Sequence, residues 1–87
     1  MPGRQIIRHF KFTAHAESML KDRGIAREWV MRVIVEPART ECRDDGTIHY
    51  LKAIPEHAGR VLRVVTGPES ESPRVITAFF DRRERRE

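Results

Sequence analysis

The chain has 87 residues and a mass of 10.2 kDa, so it has room for one domain with a modest core and no large enclosed cavity. Its 17 Lys and Arg residues exceed its 13 Asp and Glu residues, which gives a net charge of +4 and favours an acidic partner such as nucleic acid. No apolar run is long enough for a membrane span or a signal peptide, and a single cysteine, Cys42, cannot form an internal disulfide, so we expect a cytoplasmic protein.

The first third of the chain predicts a short strand and two helices. Residues 6–12 alternate between two faces, as a short edge strand does. Thr13 can cap a helix that ends at about residue 23, because its hydroxyl can accept a backbone N–H and Gly24 can adopt a left-handed conformation. Apolar residues at helical spacing predict a second helix over residues 27–35.

The rest of the chain predicts strands separated by turns. The predicted strands are residues 39–43, 47–54, 60–66 and 74–80. An Asp-Gly pair at residues 45 and 46 predicts the first hairpin. Residues 81–87 carry alternating charges and no apolar side chain, which predicts a solvated tail.

These elements predict one α+β domain over residues 1–87. Its two N-terminal helices would pack on one face of a three- to five-stranded antiparallel sheet. The other face would remain open to a partner.

Arg63 interrupts an apolar strand and shares a face with Val61 and Val65. If Val65 pairs with Val75, Arg63 lies opposite Thr77 in the middle of the sheet. A solvated face would explain the charge equally well.

The neighbouring strand has two alternative registers. Either His49 and Leu51, or Tyr50 and Lys52, share the face of Arg63, because a shift of one residue exchanges the two faces. We favour Tyr50 and Lys52, since this register gathers the cations and the phenol on the uncovered side.

Two side chains of the first helix are further candidates. His15 lies in the first turn, where a helix N-terminus favours a neutral imidazole or a bound phosphate, although a structural histidine is the simpler explanation. Arg23 projects on the apolar face of the helix and could simply complement its carbonyl end.

Other site chemistries lack their motifs. The four histidines form no HxH or HxxxH pair, and Cys42 has no CxxC partner. The glycines are isolated and form no phosphate-binding loop. We therefore expect no metal site and no cofactor.

Several motifs resemble a known family. They are Phe12-Thr-x-His15-Ala16-x-x-Met19-x-x-x-Arg23-Gly24-Ile25, Glu36-Pro37, Arg60-Val-Leu-Arg63-Val-Val and Val75-Ile-Thr77-Ala. Together they resemble a small bacterial domain-of-unknown-function family that is grouped with RelE-like and BrnT-like toxins, within the fold of barnase and related ribonucleases. The resemblance extends from about Phe12 to Phe80.

This resemblance implies a toxin-like endoribonuclease that cleaves RNA by acid–base chemistry without a metal. The implied catalytic residues are His15 as base or acid, Arg63 as the cation that stabilises the transition state, and Lys52 as a second cation or proton donor. The implied substrate-binding residues are Arg23, Tyr50 and Thr77.

The implied partners are RNA or the ribosome, an antitoxin protein, and a second copy of the chain paired through a sheet edge; we expect no membrane partner. An alternative function is a non-catalytic RNA-binding or protein-interaction module of the same fold. A structural remnant without nucleic-acid affinity is a third.

Overall fold

The computed structural model describes residues 11–67 and 74–84. The two helices are α1 (Ala14–Arg23) and α2 (Arg27–Val35). The strands are β1 (Lys11–Phe12), β2 (Arg39–Cys42), β3 (Ile48–Ile54), β4 (Arg60–Thr66) and β5 (Arg74–Phe80), and a 3-10 turn (Pro55–His57) joins β3 to β4. Neither helix is long and apolar enough to cross a membrane.

The five strands form one mixed sheet in the order β1-β5-β4-β3-β2. The neighbours from β5 to β2 pair antiparallel, but β1 pairs parallel with β5, Lys11 opposite Arg74. The prediction of a fully antiparallel sheet is therefore wrong at this edge. No hairpin joins β1 to β5, so no turn forces the two strands to run in opposite directions. Most of the predicted first strand, residues 6–10, lies outside the described residues.

Helix α1 begins and ends where its sequence predicts. Thr13 Oγ1 accepts a hydrogen bond of 3.0 Å from the Ala16 N–H, which satisfies one free donor of the first turn. The same hydroxyl donates to the Val75 carbonyl across 3.4 Å and so ties the helix start to β5. At the other end, Gly24 adopts φ 67°, a conformation that glycine adopts without strain.

The core lies between the helices and one face of the sheet, with α1 on β5 and α2 on β3 and β4. Its buried side chains are aliphatic and come from both helices and from the sheet. The most completely buried are Val30, Val33, Ile54, Leu62, Val64 and Val75. The prediction of two helices covering one face is confirmed.

The register between β3 and β4 contradicts the favoured prediction. Leu51, not Tyr50 or Lys52, lies directly opposite Arg63. Lys52 pairs with Leu62 and therefore faces the helices, as does Tyr50. Side chains two residues apart on a strand lie on the same face. Because Ile54 is buried in the core, Lys52 and Tyr50 also lie on the side of the helices.

The register between β4 and β5 also differs from the prediction. Val65 lies opposite Thr77 and not Val75, which places Phe79 opposite Arg63. The pairing is already one residue off at Thr66, which lies opposite Val75, and an irregularity between Val65 and Thr66 adds a second residue of shift. Such a bulge gives two residues of one strand a single partner, and no short-range signal marks it here.

Candidate functional site

The face of the sheet that points away from the helices, here called the open face, carries charged side chains on neighbouring strands. Arg39 of β2 pairs with Leu51 of β3, which pairs with Arg63 of β4, so these three form a row across the sheet. In the next row Glu41 lies opposite His49. Directly paired residues share a face, so the strands themselves gather two cations, a carboxylate and an imidazole.

Arg63 is the centre of this group. Its side chain is only 7% exposed, and its Nε donates to Asp81 across 2.8 Å. Nη1 donates to Glu41 at 3.3 Å and to Nδ1 of His49 at 2.9 Å, while Nη2 donates to Glu84 at 3.3 Å. A guanidinium has five N–H groups, so four of them are already used. Burial of this charge is compensated by four acceptors, three of which are carboxylates.

The carboxylates of Asp81 and Glu84 come from the chain that follows β5. Asp81 is buried, and its backbone N–H donates to the Val61 carbonyl across 2.9 Å. Glu84 reaches across the open face and bonds Arg39 at 2.8 Å as well as Arg63. The prediction of a solvated tail is therefore wrong for Asp81 and Glu84, because a buried guanidinium draws these carboxylates onto the sheet, whereas Arg82 and Arg83 are exposed.

His49 is held in one tautomer. A guanidinium can only donate, so Nδ1 of His49 accepts from Arg63 and the proton of the neutral ring lies on Nε2. Burial lowers the pKa of His49, and the nearby charges of Arg43 and Arg63 lower it further. At neutral pH this imidazole is uncharged and presents an N–H.

Glu41 is held in its ionised form. The hydrogen bond from Arg63 is the main cause that lowers the pKa of Glu41, and it outweighs the opposing effect of burial. Arg39 and Arg43 add contacts of 2.9 and 3.2 Å to its two oxygens. The open face thus pairs an ionised carboxylate with a neutral imidazole on facing positions of two strands.

Arg63 is the one sequence-predicted site residue in this cluster. Lys52 and Tyr50 lie on the opposite face of the sheet. His15 is exposed in the first turn of α1, on the helix side of the molecule. The structure therefore does not bring together His15, Lys52 and Arg63.

Arg23 and Thr77 make contacts within the helix–sheet unit instead. Arg23 Nη1 donates to the Ala78 carbonyl at 2.8 Å, and so binds the free side of β5. The Thr77 hydroxyl lies 3.6 Å from the sulfur of Met19 on α1. Both contacts fasten α1 to β5.

Sequence reasoning missed Glu41, Asp81 and Glu84, and weighed His49 only as the unfavoured register. A signal for Glu41 was available, since Arg39, Glu41 and Arg43 alternate and must share one face of a strand. Asp81 and Glu84 carried no comparable signal, because only the fold brings the turn after β5 onto Arg63.

Two cavities adjoin the cluster. A shallow one of about 550 Å³ is lined by Cys42, Arg43, Asp44, Asp45 and His49. A deeper one of about 370 Å³ lies at the end of β5 and is lined by Arg60, Val61, Phe80, Asp81, Arg82 and Glu84. Within residues 11–67 and 74–84, no three His, Cys, Asp or Glu side chains are grouped so that they could hold a metal ion.

A family model described as a domain of unknown function, DUF4258, matches residues 12–80, so the chain belongs to the DUF4258 family. No curated protein and no solved structure gives a significant match.

Proposed function

We propose that the protein is a toxin-like endoribonuclease that cleaves RNA on the open face without a metal ion. The observation that carries the proposal is the placement of Glu41 and His49 opposite each other, both hydrogen-bonded to the guanidinium of Arg63. This places a proton acceptor, a proton carrier and a cation beside one another on the face of the sheet that the two helices do not cover.

RNA cleavage of this kind needs three groups, and the open face supplies each of them. A base removes the proton of the ribose 2′-hydroxyl, a cation stabilises the charge on the phosphorane, and an acid protonates the leaving 5′-oxygen. Glu41 is ionised and suits the base. His49 suits the acid when it is protonated, a state in which its Nδ1 no longer accepts from Arg63. Arg63 orients Glu41, and the half-exposed Arg43 beside Glu41 adds positive charge.

The wider assignment follows the resemblance to RelE-like and BrnT-like toxins. Such a protein would act in the cytoplasm on free or ribosome-bound RNA and would be restrained by an antitoxin. An exposed edge strand, β2, offers a surface through which two copies could pair.

The test is a cleavage assay on a labelled RNA in the presence of EDTA. We expect Glu41→Gln and His49→Gln each to lower the rate at least about a hundredfold, since each removes one partner of general acid–base catalysis. Glu28→Gln is the matched control, because Glu28 is 81% exposed on α2 and loses the same charge. His15→Gln separates this site from the one predicted from sequence. Wild-type rates for Glu41→Gln and His49→Gln would contradict the proposal.

The pH profile gives a second test. Glu41 must be ionised, and its pKa lies below the ordinary 4.5; His49 must be protonated, and its pKa lies below the ordinary 6.5. The rate is therefore expected to fall as pH rises above the pKa of His49 and to fall again below that of Glu41. A rate that increases steadily from pH 5 to pH 8 would contradict these roles.

A second candidate is a non-catalytic RNA-binding or protein-interaction module. It is favoured by the four hydrogen bonds of Arg63, which leave this cation little capacity for a reacting phosphate. RNA binding that weakens steeply with salt and gives no product would favour the binding module.

A further inference from the structure

We propose that Arg39 and Arg63 form a binding site for an RNA phosphodiester, and that the carboxylate of Glu84 occupies this site in the free protein. The inference deepens the proposed function, on which it rests for the choice of RNA as ligand. It also explains how a cation as fully engaged as Arg63 becomes available to a substrate.

The contacts of Glu84 define the site. One oxygen, Oε2, accepts from Nη2 of Arg39 at 2.8 Å and from Nη2 of Arg63 at 3.3 Å. A phosphate oxygen accepts the same pair of charge-assisted hydrogen bonds, so this carboxylate oxygen stands where a phosphodiester oxygen would bind. Leu51 lies between Arg39 and Arg63 in the row and provides an apolar floor.

Glu84 is the carboxylate that can leave. Asp81 is only 3% exposed, binds Nε of Arg63, and also accepts from the backbone N–H of Arg83. Glu84 is 23% exposed, follows β5 by only a turn, and contacts Arg39, which is itself 52% exposed. Moving Glu84 away exposes two guanidinium edges without opening the core.

Arg63 would keep its orientation after that exchange. Asp81, Glu41 and His49 still hold Nε and Nη1. The released Nη2 is the atom that shared the Glu84 oxygen with Nη2 of Arg39. The site is therefore preformed, and a phosphodiester would need to displace one side chain only.

The neighbouring cavity accommodates the rest of a nucleotide. Glu84 also lines the 370 Å³ cavity at the end of β5, together with Arg60, Arg82 and Phe80. Arg60 and Arg82 make no ion pair with any residue that the structure describes. The ring of Phe80 already stacks on His57, with ring centroids 4.1 Å apart, so the two available cations are what this cavity adds to the phosphate site.

The experiment measures binding of a fluorescein-labelled hexanucleotide with 2′-O-methyl riboses, which cannot be cleaved through the 2′-hydroxyl. We expect Glu84→Gln to tighten its binding roughly tenfold or more, because a charged competitor is removed from both guanidinium groups. Glu28→Gln makes the same change in net charge away from the site and should alter binding less than about twofold. Adding Arg39→Gln to Glu84→Gln should abolish the gain.

Two outcomes of this experiment would overturn the proposal. Equal affinities for Glu84→Gln and Glu28→Gln would mean that only net charge matters. An equal gain for a hexaglutamate peptide would mean that the site takes carboxylates and is a protein-binding site.

A measurement on the wild-type protein tests the proposal without depending on the correct folding of a variant. Binding of the same oligonucleotide should shift the NMR signals of the Glu84 carboxyl carbon and the Arg39 guanidinium. Binding that leaves both signals unchanged would overturn the proposal. Tight binding by Glu84→Gln without cleavage of unmodified RNA would instead refute the endoribonuclease and leave the phosphodiester site intact.

Discussion

The two faces of the sheet are closed by opposite kinds of chemistry, although they share the same strands. Val64, which is fully buried, meets the helices with an aliphatic side chain. Arg63, its neighbour in β4, is almost as deeply buried on the other face, among three carboxylates and an imidazole. The apolar face needs only side chains whose shapes and volumes fit together. The open face needs its buried charges to be paired, so loss of Arg63, which binds all of the others, should be felt by each of them.

Removing the central cation should have the largest effect. Arg63→Ala leaves Asp81 buried without its counter-ion, and we expect a loss of about 3–5 kcal/mol in the free energy of unfolding, measured with urea. The double variant Arg63→Met with Asp81→Leu removes the orphaned charge and should recover part of the loss. A single variant as stable as wild type would show that the pair contributes nothing.

Truncating a buried side chain of the apolar face should lower the free energy of unfolding by about as much, for a different reason. Leu62→Ala creates a cavity beneath the helices and is expected to lower the free energy of unfolding by about 2–5 kcal/mol. Ile76→Ala is the control, since Ile76 lies on β5 but is partly exposed. Unlike the loss at Arg63, this one should not depend on pH between 3 and 7.

Acid should weaken the open face selectively. Burial raises the pKa of Asp81, but hydrogen bonds from the Arg83 N–H and from Arg63 lower it more, and the pKa of Glu41 is lowered too. Groups with lowered pKa stabilise the fold above their unfolded values, near 4, and lose that contribution as pH falls through the folded values.

The urea midpoint should therefore drop between pH 5 and pH 2, and the drop should be smaller in Glu41→Gln. Glu28→Gln, outside the Arg63 network, should keep the wild-type drop. An identical drop in Glu41→Gln and wild type would mean that this network does not sense pH.

The smallest effect is expected at the start of α1. Thr13→Ala removes the cap of the helix and should lower the free energy of unfolding by about 1 kcal/mol. Thr40→Ala, at an exposed position of β2, removes a hydroxyl that caps no helix. Equal losses for the two variants would show that capping is not the cause.

The sequence was sufficient to predict the helices and strands, but it was not sufficient to predict the registers in which the strands pair. Caps and turn residues act locally, so Thr13 and Gly24 correctly marked the ends of α1. Register depends on which side chains the helices bury, and here Ile54 outweighed the grouping of cations that favoured Lys52. The parallel pairing of β1 is likewise a property of the whole fold.

The site was predictable only at its centre. Arg63 was identifiable because a charge inside an apolar strand needs partners. His49 would have followed from the correct register, and Glu41 from the alternation of charges along β2, but neither was predicted. Asp81 and Glu84 are near neighbours of Arg63 only after the sheet has formed.

The parallel edge strand has a consequence for the order in which the chain folds. Strands β2 to β5 are joined by short connections, whereas the contact between Thr13 and Val75 spans 62 residues. Closing so large a loop costs more chain entropy than closing a hairpin, so β1 should dock after β3, β4 and β5 have paired. Substitutions at Phe12 should therefore speed unfolding and leave the refolding rate almost unchanged.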